Sequence, residues 1–149
     1  MIEITPETVI ELLLVEDDPG DVMMTREALN DAKVVHRLHV ADNGEDAIAF
    51  LRQEAPFADA PRPDLIFLDL NLPRVDGREV LAFVKGDASL RRIPLVILTT
   101  SDREDDIRQS YDLQANAFVT KPVDFESFLS AVRQVDDFFL TVAKLPPRR

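Results

Sequence analysis

The chain has 149 residues, the size of one domain, and 46% of them are apolar, enough for a single buried core. It contains no cysteine, which excludes disulfides, Cys-ligated zinc or iron–sulfur centres and thiol nucleophiles. Asp and Glu outnumber Lys and Arg by 28 to 17, a formal charge of −11, so the surface as a whole repels nucleic-acid backbones and anionic lipid.

In chain order, the N-terminal MIEITPETVIE lacks the basic start of a secretory signal, and no apolar run reaches the ~18 residues that span a bilayer. A cytoplasmic location is expected. Residues 11–15 (ELLLV) form the first short apolar run, too short for a helix and suited to a strand buried on both faces. Asp18-Pro19 then supplies an N-cap and a proline at the first helical position, and Val22, Ala28 and Leu29 follow at helical spacing. Residues 37–41 are a weaker strand candidate, and Ala47, Ile48 and Leu51 mark a second helix. Residues 55–63 (APFADAPRP) carry three prolines and predict a long loop.

Residues 65–68 (LIFL) read as the next strand, with Val80, Leu81 and Val84 as the helix after it. Residues 95–98 (LVIL) and 117–120 (AFVT) complete the strands, with Ile107 and Tyr111 between them on a fourth helix and Asp124 capping a fifth. Five strand–helix alternations imply a parallel sheet with right-handed connections and helices on both faces, an α/β architecture. No repeat or linker suggests a second domain, so residues 1–149 are expected to form one unit.

In such sheets ligands bind beyond the carboxyl ends of the strands. Glu16, Asp17 and Asp18 follow the first run, Asp69, Leu70 and Asn71 end the third, Thr99, Thr100 and Ser101 end the fourth, and Lys121-Pro122 end the fifth. Carboxylates gathered by topology repel one another, and binding a cation relieves that. A hard divalent ion fits best: Asp17 and Asp69 offer oxygens, the Asn71 main-chain carbonyl another, and waters held by Glu16 could help complete the octahedron preferred by Mg²⁺. A carboxylate beside Mg²⁺ is a phosphoryl acceptor, which makes Asp69 the candidate nucleophile, with Lys121 and Thr99 placed to hold phosphoryl oxygens.

With LLLVEDDP, PDLIFLDLNLPRVDG, IPLVILTTS and AFVTKP in this order, the chain resembles the receiver domains of two-component response regulators over about residues 10–135. The resemblance implies a doubly wound, flavodoxin-like (βα)5 sheet of order 2-1-3-4-5. It implies Glu16 and Asp17 as the acidic metal pair, Asp69 as phosphoacceptor, Asn71 as the carbonyl ligand, Thr99 as the switch hydroxyl and Lys121 as the phosphate-pairing lysine. It also implies a cis Lys121–Pro122 bond and a switch role for Phe118, which lacks the phenol hydroxyl of a tyrosine. The function implied is a phosphoacceptor signalling protein, not an enzyme, though one that assists its own phosphotransfer and autodephosphorylation.

No output domain is expected after the receiver unit, so the resemblance is to stand-alone regulators, similar to the small ones encoded with bacterial phytochrome kinases. The implied partners are a sensor histidine kinase, such as a bacteriophytochrome, and a downstream protein target, with no nucleic acid and no membrane. Two other readings meet objections in the residues. An Mg²⁺-dependent phosphatase would need an acid where Asn71 stands, and a degenerate receiver that only binds partners should have lost Asp69, Lys121 or an acid of the pair. His36 and His39 read as surface residues near an edge strand with no acidic partner. Gly20, Gly44, Gly77 and Gly86 match no nucleotide-binding motif and read as turns and helix ends.

The last helix carries Phe125, Phe128, Val132, Val135, Phe139 and Val142 at spacings of three and four. Over residues 124–144 it would extend roughly 31 Å, longer than the sheet is deep. Residues 136–149 then form a helical extension and tail, with Phe138, Leu140 and Leu145 off the stripe. A homodimer through the fourth helix, fifth strand and fifth helix is expected.

Overall fold

The computed structural model describes residues 9–31, 36–99 and 117–120. Its elements are β1 (Ile10–Val15), α1 (Pro19–Asp31), β2 (His36–Ala41), α2 (Gly44–Arg52), β3 (Leu65–Asp69), α3 (Gly77–Gly86) and β4 (Leu95–Thr99). The four strands pair in parallel in the order β2-β1-β3-β4. A further strand, β5 (Ala117–Thr120), runs parallel to β4, with Val96 opposite Ala117 and Thr99 opposite Thr120. The fourth and fifth helices expected from the sequence, the Asp124 cap, the Lys121–Pro122 bond and the tail lie outside the described residues.

Alternation along the strands splits the core into two layers. Leu12, Leu14, Leu65, Phe67, Val96 and Leu98 face α1, where they meet Ala28 and Leu29. Their neighbours Leu13, Val15, Ile66, Leu68, Leu95 and Ile97 point the other way, onto Ala47 and Leu51 of α2 and Val80, Leu81 and Val84 of α3. The central strands therefore carry nearly unbroken apolar runs, because both of their faces are covered. β2 lacks such a run: it is paired to β1, and Arg37 and Val40 are exposed along it.

Local chemistry sets the helix ends. Asp18 Oδ2 accepts from the Asp21 N–H (3.1 Å), as its sequence context predicts, and Pro19 begins α1. Asn43 caps α2 through the Asp46 N–H (2.8 Å), and Asp76 caps α3 through the Arg78 N–H (2.7 Å). At the far end of α3, the Asp87 carboxylate accepts from the Ser89 hydroxyl, the Leu90 N–H and the Ser89 N–H. These bonds, the Ser89 hydroxyl first, hold its carboxyl below the usual carboxylate range. Lys85 reaches over the same turn to the carbonyls of Arg91 (3.4 Å) and Ile93 (3.2 Å), and burial lowers its pKa.

His39 is not the partnerless residue its sequence context suggests. Its Nε2 lies 2.9 Å from Glu11 Oε1, and its side chain is 27% exposed. The parallel register sets Glu11 beside Arg37 and Leu13 beside His39, so same-face side chains of β2 converge on a glutamate of β1. Glu11 is buried there, also 3.6 Å from Arg37 Nε. Its backbone is clasped by Asp64, which accepts from the Glu11 N–H (2.9 Å) and donates its own N–H to the Glu11 carbonyl (2.7 Å). Among the described residues no helix is long and apolar enough to cross a membrane.

Candidate metal centre at the carboxyl edge of the sheet

β1 and β3 are neighbours in the sheet although α1, β2 and α2 separate them in sequence. Their carboxyl ends meet at the point where the strand order reverses, the position at which open α/β sheets bind ligands. Glu16 extends the ladder, its N–H donating to the Ala41 carbonyl (2.9 Å), and Asp17 follows it. Asp69 is the last residue of β3. This topology brings one carboxylate oxygen from each of Glu16, Asp17 and Asp69 within 4.8 Å of the others.

Glu16 and Asp69 are buried and Asp17 is exposed. Backbone donors orient the two buried groups: the Asn71 N–H binds Asp69 Oδ1 (3.0 Å), and the Asp18 N–H binds Glu16 Oε2 (3.1 Å). At an effective dielectric of about 20, two unit charges 4.8 Å apart repel by about 3.5 kcal/mol. Three such charges sharing one pocket favour a bound cation. The donor set is all carboxylate oxygen, with no imidazole or thiolate in the group, which fits a hard divalent ion. The acidic pair opens onto a groove of about 340 Å³ lined by Glu16, Asp17, Pro19, Val22, Arg26, Val40 and Asp42.

Of the residues singled out in the sequence, Glu16, Asp17 and Asp69 are thus brought together. Asn71 lies two residues beyond Asp69 and is tied to it through its N–H. Thr99 ends β4, next to Leu98, which pairs with Asp69. Phe118 pairs with Ile97 in the backbone register. Lys121, immediately after β5, lies outside the described residues. Sequence reasoning passed over Asp42 and Arg26. Asp42 follows β2 at the same carboxyl edge as the other acids, so the strand-end signal that identified them applied to it too.

Acids gathered from the ends of β1 and β3 at the carboxyl edge of a parallel α/β sheet are the arrangement expected of a phosphoryl-accepting domain. A model of the response regulator receiver domain matches residues 12–133, and the chain belongs to that family. It is a phosphoacceptor of phosphorelay signalling rather than a classical enzyme. The chain is 43% identical over 135 residues to the response regulator Rcp1 of Synechocystis sp. PCC 6803, covering 91% of this chain and 92% of that one. The Mn²⁺-bound form of Rcp1 superposes with a TM-score of 0.79 at 42% identity, covering 93% and 99% of the two chains. The phosphorylated cyanobacterial phytochrome response regulator RcpA gives 0.80 at 46% identity, again covering 93% and 99%. The bacteriophytochrome response regulator RtBRR gives 0.81 at 39%, covering 93% of this chain and 85% of that one. The acidic cluster has the all-carboxylate donor set that could hold a divalent metal.

Proposed function

We propose that the chain is a stand-alone response regulator, one receiver unit over residues 1–149. It accepts a phosphoryl group from a histidine kinase on Asp69 with Mg²⁺, and signals through protein contacts that change on phosphorylation. The observation that carries this reading is the convergence of Glu16, Asp17 and Asp69 carboxylates within 4.8 Å. A carboxylate oxygen of Asp69 attacks phosphorus. The bond from phosphorus to the donor's imidazole nitrogen breaks, and its electron pair leaves with the imidazole. Asn71 N–H holds Asp69 Oδ1, which orients the carboxylate for that attack.

Glu16, Asp17, Asp69 and the Asn71 main-chain carbonyl would hold the ion, with Mg²⁺ the physiological one. When bound, it supplies charge neutralisation for the transferring group. Lys121 and the Thr99 hydroxyl take up the new phosphoryl oxygens, and Phe118 repacks when Thr99 turns. This reading completes the sheet as a doubly wound (βα)5 of order 2-1-3-4-5 with an extended last helix, supported by the pairing of β5 with β4. A phytochrome-type kinase as donor is supported by the phytochrome association of RcpA and of RtBRR.

Intact-mass measurement after incubation with acetyl phosphate tests the reading. One phosphoryl group per chain is expected with Mg²⁺ and none with excess EDTA; equal modification in both, or none in either, refutes it. Dimerisation through the fourth helix, fifth strand and fifth helix is part of the same proposal and rests on the apolar positions 125–145. Light scattering should give a dimer for the wild type and a monomer for Phe138→Asp/Phe139→Asp, and a monomeric wild type at tens of micromolar contradicts it.

A further inference from the structure

The loop of residues 70–76 leaves β3 after Asp69 and enters α3 at Gly77, and both of its flanks are pressed by a glycine. At its inner end the Gly77 N–H donates to the Leu70 carbonyl (3.2 Å). A Cβ on Gly77 would overlap the Asp69 carbonyl oxygen and stand 2.6 Å from Leu70 Cα. At its outer end the first residue of α2 lies against Val75. A Cβ on Gly44 would overlap the Val75 carbonyl oxygen and stand 2.8 Å from its carbonyl carbon and 2.9 Å from its Cβ. Next to this contact Glu45 pairs with Arg74 at 3.5 Å, and Arg74 adopts a left-handed backbone with φ 65°.

We propose that Gly44 is a positioning residue for the metal centre: it lets the start of α2 seat directly on the Val75 carbonyl, and this contact sets where the loop holds Asn71. The proposal rests on the assignment above of the Asn71 carbonyl as a metal ligand. A side chain at position 44 must displace either α2 or the loop. α2 is anchored by Ala47, Phe50 and Leu51, all buried in the core. The loop is weaker, since Asn71, Pro73 and Arg74 are exposed. Its junction with α3 is closed on Leu70, and Leu72 and Val75 pack only partly against the core. The displacement therefore falls on residues 71–75, away from the carboxylates themselves. Residues that support metal ligands from behind are worth tenfold or more in affinity.

The test is calorimetric titration of Mg²⁺ and Mn²⁺ into the full chain, wild type against Gly44→Ala. Thermal melting of the same samples and acetyl-phosphate uptake at limiting and saturating Mg²⁺ complete it. Gly44→Ala should bind metal about tenfold more weakly, and its uptake rate should return to near the wild-type value once Mg²⁺ saturates. Gly86→Ala is the control, because a Cβ there meets nothing within 4 Å, and it should bind metal as the wild type does. A folded Gly44→Ala protein with wild-type metal affinity overturns the proposal. If Gly44→Ala loses its cooperative melting, Glu45→Ala carries the test instead: it removes the tie to Arg74 without a clash and should weaken metal binding by about threefold. Unchanged affinity in that variant is likewise contrary. Failure of wild-type Asp69 to take up phosphate would count against the functional reading alone, since metal affinity is read independently of it.

Discussion

Asp69→Asn is expected to fold as the wild type does and to take up no phosphate from acetyl phosphate at any Mg²⁺ concentration. The amide keeps an Oδ1 acceptor for the Asn71 N–H, so the turn after β3 retains its hydrogen bond. It removes one of three mutually repelling charges, so stability without metal should be unchanged or raised. What disappears is the anionic nucleophile, for which the neighbouring acids are no substitute. Glu16 is buried and turned onto the Asp18 N–H, and Asp17 follows a different strand. Intact-mass analysis checks this, and a phosphorylated Asp69→Asn protein would sink the assignment. Lys121→Ala should differ in kind, still accepting phosphate but no longer coupling it to conformational change. Amide NMR shifts on adding beryllium fluoride separate the two effects, and wild-type-sized shifts in Lys121→Ala would contradict that role.

Phe67→Ala should be the most destabilising of the single core truncations on the α1 side of the sheet. Phe67 is 0% exposed in the middle of β3. It packs in the layer of Leu12, Leu14, Ala28, Leu29, Val96 and Leu98, and so ties three strands to α1. Removing a buried phenyl ring costs about 3–5 kcal/mol, against a total stability of roughly 5–15 kcal/mol for a domain. The expected result is a large drop in the urea midpoint, with metal binding retained in the fraction that stays folded. Met23→Ala, at a position 61% exposed, should move the midpoint within about 0.5 kcal/mol. A loss below about 1.5 kcal/mol for Phe67→Ala would mean that the ring is not packed as described.

The central strands were legible because burial on both faces leaves a compositional mark that needs no tertiary knowledge. The runs at 11–15, 65–68 and 95–98 each match a strand to within one residue at either end. β2 was fainter because only one edge of it is paired to another strand, and its exposed positions dilute the apolar signal. The acids of the site were legible for a geometric reason: a residue that ends a parallel strand lies at the carboxyl edge wherever that strand falls in the order. The pairing of His39 with Glu11 was not. It depends on the relative register of two strands joined through a helix, and Glu11 was read only as part of the first apolar run. The approach of Gly44 to Val75 was hidden similarly. Asn43-Gly44 announces a turn and a helix start, but which backbone a glycine touches is decided by packing between elements distant in sequence.

The sheet order also governs how the chain behaves while it is being made. Among the described strands β1 is the first to leave the ribosome, yet Leu12 pairs with Leu38 on one side and Leu65 on the other. Its second partner does not exist until α1, β2 and α2 have been synthesised and β3 follows them. Through that interval Leu12, Leu13, Leu14 and Val15 form an unpaired, β-prone apolar segment of the kind that seeds aggregation. Glu11 stands at one end of it and Glu16, Asp17 and Asp18 at the other. Flanking charges of one sign keep such segments on neighbouring nascent chains apart. Glu16 and Asp17, proposed above as metal ligands, are thus also placed to act earlier as gatekeepers, and a variant that neutralises both should lose solubility during synthesis as well as metal affinity afterwards.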